Sequence, residues 1–142
     1  MYELKTRRKI EFADTDMGGI VHFSRFFVFM ETAEHRFLEA IGTSVALDLD
    51  GQRIGWPRVA ASCEYRRPAR FGDTLEIHVR VRRKGGKSLT YDFEFLRGAE
   101  PIATGRMTAV CCVLDPAQPV RAIPIPAFIA DRIEEAPTAP EG

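Results

Sequence analysis

The stretch Asp14-Thr15-Asp16-Met17-Gly18-Gly19-Ile20-Val21-His22-Phe23 sets two carboxylates and two glycines directly before a strongly apolar helical segment. Glycine lets a backbone approach a ligand closely and adopt φ > 0, and the first turn of a helix offers N–H groups that lack an intrahelical partner. Those amides favour developing negative charge. A carboxylate beside such donors is equipment for acyl transfer, which needs an attacking oxygen and stabilisation of the oxyanion that forms at the carbonyl.

Other chemistry is also open to these residues. Aspartates in Gly-rich loops often accept bonds from nearby backbone N–H groups, and turn-building is the favoured reading for Asp14. Asp14, Asp16 and Gly19 match positions one, three and six of a calcium loop, but Gly18 and Arg25 fall at positions five and twelve, where ligands are required, so a calcium site is not expected. His22 can orient water or substrate, or simply form a pocket wall. His35 and His78 read as ordinary partly exposed residues. Cys63, Cys111 and Cys112 show no C-x-x-C spacing and form no recognisable zinc set with the histidines; they read as reduced packing residues, and no metal is expected.

The elements that must hold this loop follow from periodicity. Residues 2–12 alternate, with Tyr2, Leu4, Ile10 and Phe12 on one face, which predicts a half-buried strand. After the loop at 13–22, Ser24 is the candidate N-cap of a helix that ends near Gly42. Phe26, Met30, Ala33, Phe37 and Ile41 recur at helical steps, and Phe27, Val28 and Phe29 make the first turns apolar nearly all round, so this helix is expected to be buried on most sides. Glu31, Glu34, His35, Arg36 and Glu39 are expected to reach solvent from its second half.

A polar connection at 48–52 leads to strands at 58–67, 74–83, 89–95 and 102–114, with turns at Gly72-Asp73, Lys84-Gly85-Gly86-Lys87 and Arg97-Gly98-Ala99-Glu100. The face Ala103, Gly105, Met107, Ala109 is small, as a sheet needs where bulky helix side chains press on it. Pro126 opens a short helix carrying Phe128, Ile129 and Ile133. One strand, a long helix and four strands in a meander predict an α+β fold with an antiparallel sheet wrapped around one central helix. A single domain is expected over 1–135, with 136–142 a disordered tail.

Composition narrows the partners. Twenty basic residues balance twenty acidic ones, so no global field attracts nucleic acid or an anionic membrane. The charged N-terminus is neither a signal peptide nor an anchor, and the apolar run Phe26–Met30 is too short to span a bilayer, which points to a cytoplasmic protein. The hairpin residues Arg82, Arg83, Lys84, Lys87 and Ser88, with Arg66 and Arg67, are candidate phosphate ligands, although such a charge run also suits a solvated turn. Trp56, before the second strand, either shapes a pocket or packs the core.

The element order, together with Ile10-Glu11-Phe12-x-Asp14-x-Asp16-x-x-Gly19-Ile20-Val21-x-Phe23, resembles the 4-hydroxybenzoyl-CoA thioesterase family of hotdog-fold proteins. The turn Tyr65-x-x-Pro68-Ala69-x-x-Gly72-Asp73 and the hairpin ending Gly86-Lys87-Ser88 extend the likeness over nearly the whole chain. The resemblance implies an acyl-CoA thioesterase in which Asp16 attacks the thioester carbonyl or activates water, while the Phe23 N–H polarises the carbonyl oxygen. It places Gly19 and Val21 beside the substrate. It further implies no cofactor beyond the coenzyme A of the substrate, and a homodimer or homotetramer with active sites at the dimer interface. Relatives linked with the Tol-Pal system carry a tyrosine where this chain has Phe12, and a histidine at the Phe23 position, one place after His22, so a histidine-assisted mechanism does not carry over directly. A non-catalytic acyl-CoA or acyl-carrier binding protein is the alternative, and a hotdog hydratase a third reading.

Overall fold

The computed structural model describes residues 1–138. The first strand, β1 (Glu3–Lys9), keeps the expected alternation but ends early: Ile10 drops into the core, and Phe12–Asp14 form a 3₁₀ turn that leaves Phe12 79% exposed instead of facing inward. A reciprocal cap bends the chain there, with the Asp14 N–H donating to Glu11 O at 2.9 Å and the Glu11 N–H to Asp14 Oδ2 at 2.8 Å.

Helix α1 (Arg25–Ala40) buries Phe26, Met30, Ala33 and Phe37 of the predicted stripe, with Phe29 beside them and Ile41, the last of the stripe, buried just past its end. Gly42, at φ +89°, ends it in the left-handed conformation. Two expectations fail. Val28 is 40% exposed, so the first turns are not covered all round within one protomer. Glu34 is fully buried rather than wet, because Arg58 reaches in to meet it.

The connection expected at 48–52 is instead a small hairpin, β2 (Leu47–Leu49) and β3 (Gln52–Gly55), turned by Asp50-Gly51 with both residues at positive φ. The remaining strands of the main sheet are β4 (Arg58–Tyr65), β5 (Thr74–Lys84), β6 (Ser88–Arg97) and β7 (Glu100–Val110), in the order β1-β5-β6-β7-β4. Only β5, β6 and β7 form a meander. β1 takes the edge of β5, and β4 lies beyond β7, because the Arg66 and Arg67 N–H groups both bond Ile102 O and carry the chain across the end of the sheet. The sequence strand expected at 102–114 also splits: β8 (Cys112–Val113) leaves to join β3 and β9 (Arg121–Ala122) in a second, smaller sheet.

Inward residues of β5, β6 and β7 enclose α1, which gives the hotdog arrangement of a wrapped helix. Met30 sits over Gly105 so closely that a β-carbon there would meet its Sδ. After Pro126, helix α2 (Ala127–Ala130) and the turn that follows bury Ile129 and Ile133 but leave Phe128 40% exposed. The expected tail is anchored at its first residue, where the Ala136 N–H donates to Val81 O at 2.7 Å. Residues 139–142, the last four of that tail, lie outside the described residues.

Candidate active site

The loop is itself a miniature hairpin. The His22 N–H donates to Asp14 O at 2.8 Å, Thr15 pairs with Val21, and the Asp16 N–H donates to Ile20 O at 2.8 Å. Gly19 closes the tip at φ +79°, where a side chain would be strained. Val21 is buried and its N–H bonds Ala69 O at 2.8 Å, which fixes the loop to the turn before β5.

Asp14 is the loop's buried anchor. Its carboxylate accepts from Arg25 Nε at 3.0 Å, from Arg8 at 3.2 Å through both oxygens, and from the Glu11 N–H. Burial alone would raise its pKa, but those hydrogen bonds outweigh it and hold the group below the usual carboxylate range. Asp14 therefore ties β1, the loop and the first residue of α1 together, and the turn-building reading holds.

Asp16 is differently placed. Oδ1 accepts from the Gly18 N–H at 2.8 Å and lies 3.5 Å from the Ile20 N–H, which fixes the rotamer. Oδ2 accepts no hydrogen bond among the described residues, and the side chain is partly exposed, so one oxygen is oriented and available. At the end of the returning limb, the Phe23 N–H also has no partner among the described residues, whereas Phe23 O accepts from the Tyr65 hydroxyl at 2.9 Å. Tyr65 thus clamps the peptide that follows the free amide, a contact that its place in the Tyr65-x-x-Pro68 motif did not disclose.

His22 is exposed and stacked on the Phe23 ring at 4.6 Å between centroids. Its Nδ1 is 2.7 Å from Ser24 Oγ, so the hydroxyl expected to cap α1 is used on the imidazole instead. No hydrogen bond joins His22 to Asp16 among the described residues.

The other expected substrate residues lie elsewhere. Trp56 is buried in the core cluster. Arg82 pairs with Asp92 at 3.2 Å. Lys84 donates from Nζ to Ala130 O and Ile133 O at 3.1 and 2.9 Å, fastening the α2 region to the sheet. Arg83 and Lys87 are exposed, and Ser88 is half-buried at the start of β6. β5 begins beside the Asp16 loop, where the Ile10 N–H bonds Asp73 O, and runs eleven residues to this hairpin. At about 3.3 Å per residue the two halves of the expected site are ~30 Å apart in one protomer.

This fold and loop define a class, and comparison with known proteins agrees with it. The chain belongs to the thioesterase-like superfamily, which it matches over residues 10–133. It is 28% identical to a 1,4-dihydroxy-2-naphthoyl-CoA hydrolase of Synechococcus elongatus, over 78% of this chain and 82% of that one. It is 33% identical to a protein of the same name from Prochlorococcus marinus, over 70% of each. Among solved structures, a gentisyl-coenzyme A thioesterase superimposes with a TM-score of 0.80 at 27% identity, covering 91% of this chain and 98% of that one. A 4-hydroxybenzoyl-CoA thioesterase, at 19% identity and a TM-score of 0.80, shares the fold. The enzyme class is thioester hydrolase. Among the described residues no helix is long and apolar enough to cross a membrane.

Proposed function

We propose that this chain hydrolyses aromatic acyl-CoA thioesters to free coenzyme A and the carboxylic acid, acting as a cytoplasmic enzyme without a metal or redox cofactor. The observation that carries the reading is an oriented Asp16 Oδ2 and a Phe23 N–H, both without a partner among the described residues, on the two limbs of one short hairpin. The carbonyl oxygen rests on that amide. Asp16 either takes a proton from a water that adds to the acyl carbon, or adds itself to give a mixed anhydride that water then hydrolyses to the acid and free Asp16; in both cases the C–S bond breaks as the carbonyl re-forms and coenzyme A leaves as its thiolate. The aromatic acyl class is favoured because relatives of similar length carry names with hydroxylated aromatic CoA esters.

Assembly completes the site in this reading. β4 is an edge strand exposed along most of its length, with Val59 66% exposed and Val28 uncovered on the neighbouring helix. Two copies pairing antiparallel through β4 invert one sheet relative to the other. Because β4 starts at the hairpin end of the sheet and finishes beside Phe23, that inversion brings the partner's basic hairpin to this protomer's Asp16 loop. Arg83 and Lys87, which make no ion pair among the described residues, are then the best candidates for the CoA phosphates.

The test is thiol release from a panel of aromatic and short aliphatic acyl-CoAs. Asp16→Asn is expected to fold normally and to lower kcat by about 10²-fold or more. Near-normal turnover in that variant rejects Asp16, and saturable acyl-CoA binding without thiol release selects the binding-protein alternative.

A further inference from the structure

The core contains a polar cluster that thioester hydrolysis does not use. Glu34, in the middle of α1, gives Oε1 to the Arg58 guanidinium, whose other Nη donates to Trp56 O at 2.8 Å. Three polar atoms of these residues are buried without a hydrogen-bond partner among the described residues: Glu34 Oε2, Arg58 Nε and the Tyr91 hydroxyl. The Tyr91 ring meets the Phe37 ring edge-on, 5.9 Å between centroids and one helical turn beyond Glu34, and the charges of Glu34 and Arg58 both act on its hydroxyl. An unmet polar group in a core is costly, and three together are not explained by packing.

We propose that Glu34, Arg58 and Tyr91 form a closed site for one water molecule, and that this site exchanges a proton and thereby links the stability of the fold to pH. The three valences are complementary. With Glu34 ionised, a water accepts from Arg58 Nε–H and the Tyr91 hydroxyl and donates to Glu34 Oε2; with Glu34 protonated, Oε2–H and Arg58 Nε–H donate to the water, which donates to the Tyr91 hydroxyl, so about three bonds are kept in both states. Glu34 stands nine residues past Arg25, the first residue of α1, or ~14 Å along the helix axis, farther than a ring hydroxyl extends from an acyl carbonyl held at the helix start.

The groups facing Glu34 are Glu31 from its own helix, Arg58 from β4 and Tyr91 from β6; β5 turns Leu75, Ile77, Val79 and Val81 inward, none of them titratable. Burial raises the Glu34 pKa from 4.5 to about 7, against the Arg58 charge, which lowers it, and with Glu31 adding to the rise. The folded protein therefore holds the proton more tightly than the unfolded chain. This stabilisation is complete below pH 4.5 and is lost as pH rises through about 7.

Two measurements on the full-length protein test this. The unfolding equilibrium constant of wild type relative to Glu34→Gln is expected to rise on the order of 10²-fold between acid and neutral pH. Parallel pH profiles overturn the proposal. A high-resolution crystal structure is expected to show one water bonded to Glu34 and Tyr91 that is lost in Tyr91→Phe, and a dry site or a direct Glu34–Tyr91 bond overturns it. Should Glu34→Gln not fold, a carboxyl-stretch titration by infrared replaces the first measurement: a Glu34 midpoint near neutrality supports the site, and one near the ordinary carboxylate value overturns it. None of these readouts depends on thioesterase activity.

Discussion

Two aspartates separated by one residue have opposite environments, and the difference predicts opposite phenotypes. Asp14 is wholly buried between two arginines and a backbone amide, whereas Asp16 keeps one oxygen unengaged among the described residues at the hairpin tip. Removing one partner of a buried ion pair leaves the other charge uncompensated, so Asp14→Asn is expected to lose about 3–5 kcal/mol in denaturant unfolding. The lowered Asp14 pKa gives the sign of its acid response: its contribution is present above its ordinary value of 3.8 and fades as pH falls through the folded value, so the variant should lose part of the wild-type acid transition. The hairpin lysines divide in the same way. Lys84→Ala is expected to lower Tm by freeing the α2 carbonyls, and Arg83→Ala/Lys87→Ala to raise KM for acyl-CoA with Tm unchanged, as thermal scans and steady-state kinetics will read. Residue type and spacing disclosed the Asp16 loop and the anchoring part of Asp14. They could not disclose Glu34, whose partner is twenty-four residues away and met only through tertiary packing.

Pairs of elements show what local pattern can and cannot encode. The period of two in β5 and β6 and the helical stripe of α1 each specify one buried face, so those elements form where periodicity places them. Strand order carries no such mark. β4 looks like the hairpin partner of β5, yet β1 holds that edge through seven paired residues, a contact between segments some seventy residues apart. Asp50-Gly51 did carry a local signal, since that dipeptide suits the mirror-image hairpin turn, but its flanking strands are only three and four residues long and too short to show alternation. The small face of β7 makes a sharper prediction. A β-carbon at position 105 meets Met30 on one side and lies 3.3 Å from Ser62 O on the other, so Gly105→Ala is expected to cost about 1–3 kcal/mol. Met30→Ala in the same chain should return part of that loss, because the Met30 contact is relieved while the Ser62 backbone contact remains; a double-mutant cycle by chemical denaturation measures the coupling.

A single protomer separates Asp16 from the basic hairpin by the length of β5, and that separation gives the dimer proposal its strongest test. If each active site takes Asp16 from one copy and Arg83 and Lys87 from the other, then Asp16→Asn and Arg83→Glu/Lys87→Glu chains damage different members of the same site. Each variant alone has two defective sites per dimer. In a mixed dimer both lesions fall on one site and the second site is intact. Co-refolding the two inactive proteins in equal amounts should therefore restore about a quarter of wild-type turnover, since half of the dimers are mixed and each has one good site of two. Val59→Lys in both chains should abolish that recovery by blocking the β4 edge, with sedimentation reporting monomers. If recovery is absent although the mixed dimer is shown to form, the two residue sets do not complete one site between protomers, and the CoA phosphates must then be sought nearer the loop, where Arg66 and Arg70 are exposed.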